Sequence, residues 1–268
     1  MVFHIGPLTI TGYAALTDIG LLSGAIIACL GARRRGLSAI WALDAVLAVA
    51  LGGLIGGRAE HVAIHWSYYG DVIRHRIGAI RALRVWDGGL GWHGALVGGL
   101  LTALVYCRAR RIRTRQLLDT LAPGAAVLAT CVWLGCLLHG CAYGLETYPV
   151  QGWLWALSLD LPDLYGIRAP RVAVQLLGAG WSAATLVAVW IAAIRPMAGR
   201  CARLAGCLFP LWMALHSFGC FGLGFLRADE TLLVAGWRAD QAADLALGVI
   251  GALALLAARF NMERHEVT

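Results

Sequence analysis

The chain has 268 residues, of which 60% are hydrophobic and 14% charged, and its mean hydropathy is +0.72. A soluble domain of this size is about 45–50% apolar and about 25% charged, so the composition excludes an ordinary water-soluble fold and marks an integral membrane protein. All 22 basic residues are arginines, and the net charge is +7. The arginines stand in short stretches between apolar runs, which points to topology and anionic headgroups and away from nucleic acid.

Apolar runs of about 17–25 residues, the length that crosses a bilayer, fall near 11–32, 41–57, 89–107, 117–141, 172–194, 204–224 and 241–258. The pattern predicts an all-α, polytopic membrane protein: seven transmembrane helices in a single domain, 1–268. Two larger loops, about 58–88 and 142–171, are rich in Trp, Tyr, Gly and charge, a composition suited to headgroup depth. The first run follows a stretch without basic residues and precedes Arg33-Arg34-Arg35, so it reads as a first transmembrane helix and not as a cleaved leader. Loops after the odd-numbered helices hold thirteen arginines against nine on the other side. The positive-inside rule then places the N-terminus outside, the C-terminus in the cytoplasm and both large loops facing outward.

Polar residues inside such helices need partners or a task. Helix one carries Tyr13 and Asp18, and helix two carries Asp44. Helix two closes on Gly52-Gly53-Leu54-Ile55-Gly56-Gly57-Arg58-Ala59-Glu60-His61, where small residues permit close packing. Arg58 is either a bidentate ligand for a lipid phosphate or a side chain snorkelling to the interface. The next stretch, Arg84 to Gly99, passes through the Gly88-Gly89 turn into an apolar helix with His93 near its first turn. Asp87 is a candidate cap for that helix. A helix N-terminus offers free N–H groups and partial positive charge. A neutral His93 there can take a proton from a hydroxyl or thiol; the alternative is an interfacial histidine that only closes the loop.

In the fourth helix, Cys136 and His139 share a face and Cys141 follows. Cys-x2-His-x-Cys is not a recognised zinc spacing, so a packed, polar-lined groove competes with a metal site. Most of the eight cysteines lie in or beside apolar runs, as small hydrophobes do. Gln175 is the main polar residue of helix five. Helix six carries His216 and Ser217 and is followed by Arg227, and Asp244 lies in helix seven.

Across nearly its whole length the sequence resembles the prolipoprotein diacylglyceryl transferase family. Ile5-Gly6-Pro7 with Tyr13, and a first helix ending in Arg33-Arg34-Arg35-Gly36-Leu37, resembles the family's opening. Gly56-Gly57-Arg58 is similar to its Gly-Gly/Ala-Arg element, and Arg115 to Pro123 to its approach to helix four. The most specific likeness is Gly88-Gly89 followed by His93-Gly94-Ala95-Leu96, close to the family's Gly-Gly-x-x-x-His-Gly-Gly/Ala-Leu. The resemblance implies transfer of diacylglycerol from phosphatidylglycerol to the lipobox cysteine of an exported prolipoprotein. The setting it implies is the bacterial cytoplasmic (inner) membrane, with no cofactor and no metal. By similarity, His93 and Tyr13 are catalytic, and Arg58 and Arg227 bind the lipid phosphate. Gly88, Gly89, Gly94, His139, Gly140, Gly144 and Gln175 then line or support the groove.

Three segments depart from the family pattern. Helix four reads Val132-Trp133-Leu134-Gly135-Cys136-Leu137-Leu138-His139-Gly140-Cys141, where the family usually shows Gly-Arg-x-Gly-Asn-Phe-x-Asn-Gly-Glu. A variant with Gly-Cys-Phe-x-x-Gly-Cys-Cys-Tyr-Gly is similar at Cys136, Gly140, Cys141, Tyr143 and Gly144. Helix five keeps only Gln175 and Leu176 of Pro-x-Gln-Leu-Tyr-Glu. Cys220 and Gly224 stand at the usual Arg and Glu of helix six, leaving Arg227. The alternative to a transferase is a catalytically degenerate descendant that binds anionic lipid or a membrane partner.

Overall fold

The computed structural model describes residues 2–5, 8–74, 78–85, 88–148, 152–194 and 206–267. Among them the chain is mainly helical, with three small antiparallel hairpins that the all-α expectation did not include. The seven predicted runs all appear as helices: α1 (Gly12–Arg34), α2 (Ala39–Ile64), α5 (Trp92–Arg110), α6 (Thr114–His139), α7 (Val174–Ile194), α8 (Leu208–Gly224) and α9 (Ala239–Val267). Five of these, α1, α2, α6, α7 and α9, contain stretches long and apolar enough to cross a membrane by length and composition. Two short helices, α3 (Trp66–Arg74) and α4 (Gly78–Leu83), lie in what the sequence reading took for a loop. The described residues form two compact units, 31–118 and 1–30 with 119–268, and the division falls within α1 and α6.

The unit 31–118 is built on the antiparallel pair α2 and α5. Their contact is backbone on backbone. A Cβ on Gly56 would collide with the Gly94 carbonyl oxygen, and one on Gly98 with the Gly52 carbonyl oxygen. Small residues allow this approach where lipid gives no hydrophobic drive for helices to associate. The large apolar side chains point the other way. Leu43, Leu47, Leu51 and Ile55 on α2, and Val97, Leu101 and Val105 on α5, form exposed stripes at four-residue spacing. A water-soluble helix would bury such stripes; these face the bilayer.

The glycine-rich end of helix two does not stop at residue 57. α2 runs to Ile64, so Arg58, Glu60 and His61 are helical. The α2–α5 seam removes most of the disadvantage of glycine in a helix, because here its missing side chain is what lets the two backbones meet.

The unit 1–30 with 119–268 opens with the β1 (Val2–Ile5) and β2 (Leu8–Thr11) hairpin and α1. α1 packs on α6 through small residues, with a Cβ on Gly24 lying 3.0 Å from the Gly124 carbonyl oxygen. Asp119, buried on α6, accepts the backbone N–H groups of Gly206, Leu208 and Phe209 and so caps the N-terminus of α8 from another helix. Beyond α6 a hairpin forms from β3 (Ser158–Pro162) and β4 (Arg168–Val172). Single bridges join Gly144 to Arg227 and Glu146 to Arg171. A last small hairpin, β5 (Leu233–Val234) and β6 (Trp237–Arg238), leads into α9.

Candidate active site

In the unit 31–118 the candidate residues gather where α2 meets the start of α5. Arg58 is 6% exposed. Its Nε donates to Ala82 O at 2.7 Å, Nη1 to Gly88 O at 2.6 Å and Gly89 O at 3.1 Å, and Nη2 to Arg81 O at 2.7 Å and the Tyr69 hydroxyl at 3.2 Å. A guanidinium has five N–H groups, and these five contacts use them all. In this arrangement every Arg58 donor is directed to a group of the protein. Arg58 ties α3, α4 and the Gly88-Gly89 turn to α2.

Gly88 and Gly89 have φ of +86° and +78°, a left-handed pair that side chains disfavour. The turn brings both carbonyls onto one guanidinium. A Cβ on Gly89 would also strike the His61 ring.

His93 is the second residue of α5, whose N-cap, Gly91, has no side chain to satisfy the helix's first N–H groups. Glu60 supplies that function from α2. Its Oε2 accepts the Gly94 N–H at 2.7 Å, and its Oε1 stands 3.7 Å from His93 Nδ1. The two side chains are 21% and 17% exposed. A carboxylate at a helix N-terminus is favourable, and this one also stands beside the largely buried His93 imidazole. Gly94 is required here because a Cβ would meet Gly56 O and the Glu60 side chain. Asp87, the cap expected from sequence, lies outside the described residues.

The remaining candidates belong to the unit 1–30 with 119–268. Tyr13, in the first turn of α1, has its ring 6.0 Å from that of His139, and Gly135 packs against it. Gly140 turns with φ +84°, where a Cβ would hit the Asp163 carbonyl, and Gly144 presses on the Val172 carbonyl. Gln175, 1% exposed, donates from Nε2 to Cys141 O at 3.1 Å. Gly140, Gly144 and Gln175 are thus closely packed near a Cys136–Cys141 disulfide. The disulfide takes up both thiols that a metal site would need as thiolates.

Arg227 is held in a ring of four charges. It donates to Asp229 at 2.8 and 2.6 Å and pairs with Asp240 at 3.0 Å, while Arg238 contacts the same two carboxylates at 3.3 and 3.1 Å. Burial works against the Arg227 charge, but the carboxylates outweigh it and raise its pKa further above the ordinary arginine value. Its phosphate-binding role is likewise met by competition from within the protein. The ring joins the end of α8 to the start of α9.

Three charged side chains take placements that the sequence does not display. Glu60 was legible only as an acid inside an apolar helix, a costly residue that asks for a partner. Asp119 gave the same signal. Arg171 is buried, pairs with Asp163 at 3.2 Å and Glu146 at 2.8 Å, and lies 4.9 Å from the Tyr143 ring centroid. Burial, with the charges of Asp163 and Asp229, pushes the Tyr143 hydroxyl pKa up.

Over residues 1–257 the chain matches the family model for prolipoprotein diacylglyceryl transferase. It is 32% identical over 256 residues to a phosphatidylglycerol–prolipoprotein diacylglyceryl transferase of Mycobacterium tuberculosis, covering 90% of this chain and 52% of that protein. The Nocardia farcinica protein of the same name is 32% identical over 261 residues, covering 90% of this chain and 49% of its own length. That of Mycobacterium leprae is 32% identical over 256 residues, with 90% and 74% covered. The chain thus spans about half the length of the first two relatives. With the His93 and Arg58 elements in place and the match running through all seven apolar helices, the chain belongs to the prolipoprotein diacylglyceryl transferase family.

Proposed function

We propose that the protein transfers diacylglycerol from phosphatidylglycerol to the cysteine thiol of an exported prolipoprotein. The observation that carries this reading is His93, placed on the first turn of α5 beside the Glu60 carboxylate and partly open to its surroundings. His93 Nε2 accepts the proton of the thiol, and the thiolate attacks the glycerol carbon that bears the phosphate ester. A C–S bond forms and the C–O bond breaks. The electron pair leaves on the phosphate oxygen as glycerol phosphate, and the proton departs from the imidazolium with that product. Tyr13 is assigned to the same reaction by similarity, as a hydroxyl donor to substrate.

The phosphate needs positive charge that Arg58 and Arg227 spend on protein partners. Arg81 and Arg84 lie exposed on the segment that Arg58 holds, Arg81 with one Nη donating to the Tyr68 hydroxyl at 3.3 Å, and their exposure is the ground on which they are assigned that role. The protein crosses the bacterial inner membrane seven times, with its N-terminus outside and its C-terminus in the cytoplasm. This counts α5 and the 17-residue α8 as spans.

The engagement of Arg58 and Arg227 by groups of the protein itself favours a second reading, a non-catalytic relative that retains anionic lipid. Purified protein in liposomes with phosphatidylglycerol and a lipobox peptide separates the two. Transfer predicts a peptide heavier by one diacylglyceryl group, and His93→Ala lowers the rate by at least about 100-fold. Folded, lipid-retaining protein that leaves the peptide mass unchanged establishes the second reading.

A further inference from the structure

We propose that Glu60 is the positioning residue of His93: it fixes which imidazole nitrogen carries the proton and raises the basicity of the other. The inference rests on the transferase reading, in which His93 is the base.

Glu60 divides its two oxygens between two tasks. Oε2 is bound to the Gly94 N–H at 2.7 Å, which prevents the carboxylate from rotating away. Oε1 is thereby held 3.7 Å from His93 Nδ1. The helices beneath cannot slide to relax this spacing, because Gly91 N donates to Gly57 O at 2.9 Å and Gly56 and Gly94 meet through their backbones. A carboxylate facing Nδ1 favours the tautomer with its hydrogen there, leaving the Nε2 lone pair for the thiol proton. It also stabilises the imidazolium that forms, as an opposite charge within about 4–6 Å does. Among the described side chains, the other ionisable groups in this part of the unit include Arg58 and His61 on α2, His65 just after it, Tyr68 and Tyr69 on α3, and Arg81 and Arg84 on the segment after it. Arg58 is turned into carbonyls and His61 lies over Gly89, while Arg81 and Arg84 are exposed. Among these described groups Glu60 is the negative one. Sequence spacing could not show the pair, since its members come from different helices.

The test compares Glu60→Gln with the unaltered protein. Glutamine keeps an oxygen for the Gly94 N–H and removes only the charge, so a purely structural Glu60 predicts no change in titration. With Glu60 as positioning residue, the acidic limb of the transfer–pH profile moves down by about one pH unit in Glu60→Gln. kcat falls by at least about 10-fold while KM for phosphatidylglycerol holds. Titration of isotope-labelled His93 by NMR shows the same downward shift. An unmoved pH profile and an unmoved His93 titration overturn the proposal.

A second readout needs no variant. Nitrogen chemical shifts of neutral His93 in the unaltered protein report the Nδ1–H tautomer if Glu60 orients it; the Nε2–H tautomer overturns the proposal even if Glu60→Gln does not fold. Absence of transfer by the unaltered protein removes the transferase reading, while the His93 titration and tautomer still decide the pairing.

Discussion

Arg58 makes five contacts, four of them to backbone carbonyls 23 to 31 residues away. Each carbonyl is turned toward a charged donor in a part-buried setting, and a neutral side chain leaves all four without it. Arg58→Ala is therefore expected to destabilise the protein by at least about 2 kcal/mol and to open 66–89 to protease. Arg58→Lys rescues little, because a point charge cannot replace a planar five-donor fork. Arg84→Ala predicts the opposite division: unchanged thermal stability in detergent and a several-fold higher KM for phosphatidylglycerol. Thermal unfolding with transfer kinetics on both variants checks the pair; a stable Arg58→Ala with only a raised KM returns Arg58 to the phosphate. The sequence showed that Arg58 mattered, by its cost in an apolar helix, but not what it binds. Its acceptors are backbone atoms, which no residue pattern displays. The same blindness hid Glu60, whose partners His93 and Gly94 lie more than thirty positions on.

At the scale of elements, the periodic signals were read well and the boundaries were not. Seven apolar runs became seven helices because length and hydropathy are properties of the run itself. The end of α2 was misplaced because clustered glycines usually end a helix, and only the facing glycines of α5 show why these do not. Strands of two to five residues leave too short an alternation to detect. The glycine seam makes a sharp prediction. Gly56→Ala places a methyl group against the Gly94 carbonyl and the Gly98 backbone, and neither can yield without parting α2 from α5. It is expected to lower Tm by several degrees or to prevent accumulation in the membrane. Gly31→Ala and Gly180→Ala meet nothing within 4 Å on α1 and α7 and are expected to be neutral or to gain about 0.5–1 kcal/mol. Equal effects at all three sites would remove close packing as the reason for the glycines.

For the molecule as a whole, the surface is the reverse of a soluble protein's. Leu and Ile stripes lie exposed on α1, α2 and α9, while Asp119, Arg171, Gln175, His216 and Asp244 are buried. That inversion argues for a bilayer without saying which way the chain enters it. The direction rests on thirteen arginines against nine, a bias that any strongly charged loop could offset. The Cys136–Cys141 disulfide adds an independent reason, since such bonds persist on the oxidising side of the inner membrane. In intact cells stripped of the outer barrier, a cysteine placed at Tyr68 is expected to react with a membrane-impermeant maleimide. One placed at Arg113 is expected to react only after lysis. Prior treatment with an impermeant reductant adds the two thiols of the disulfide to the outward-labelled set. The converse pattern, with Arg113 labelled first, inverts the topology and moves His93 to the cytoplasmic side, where an exported prolipoprotein would not meet it.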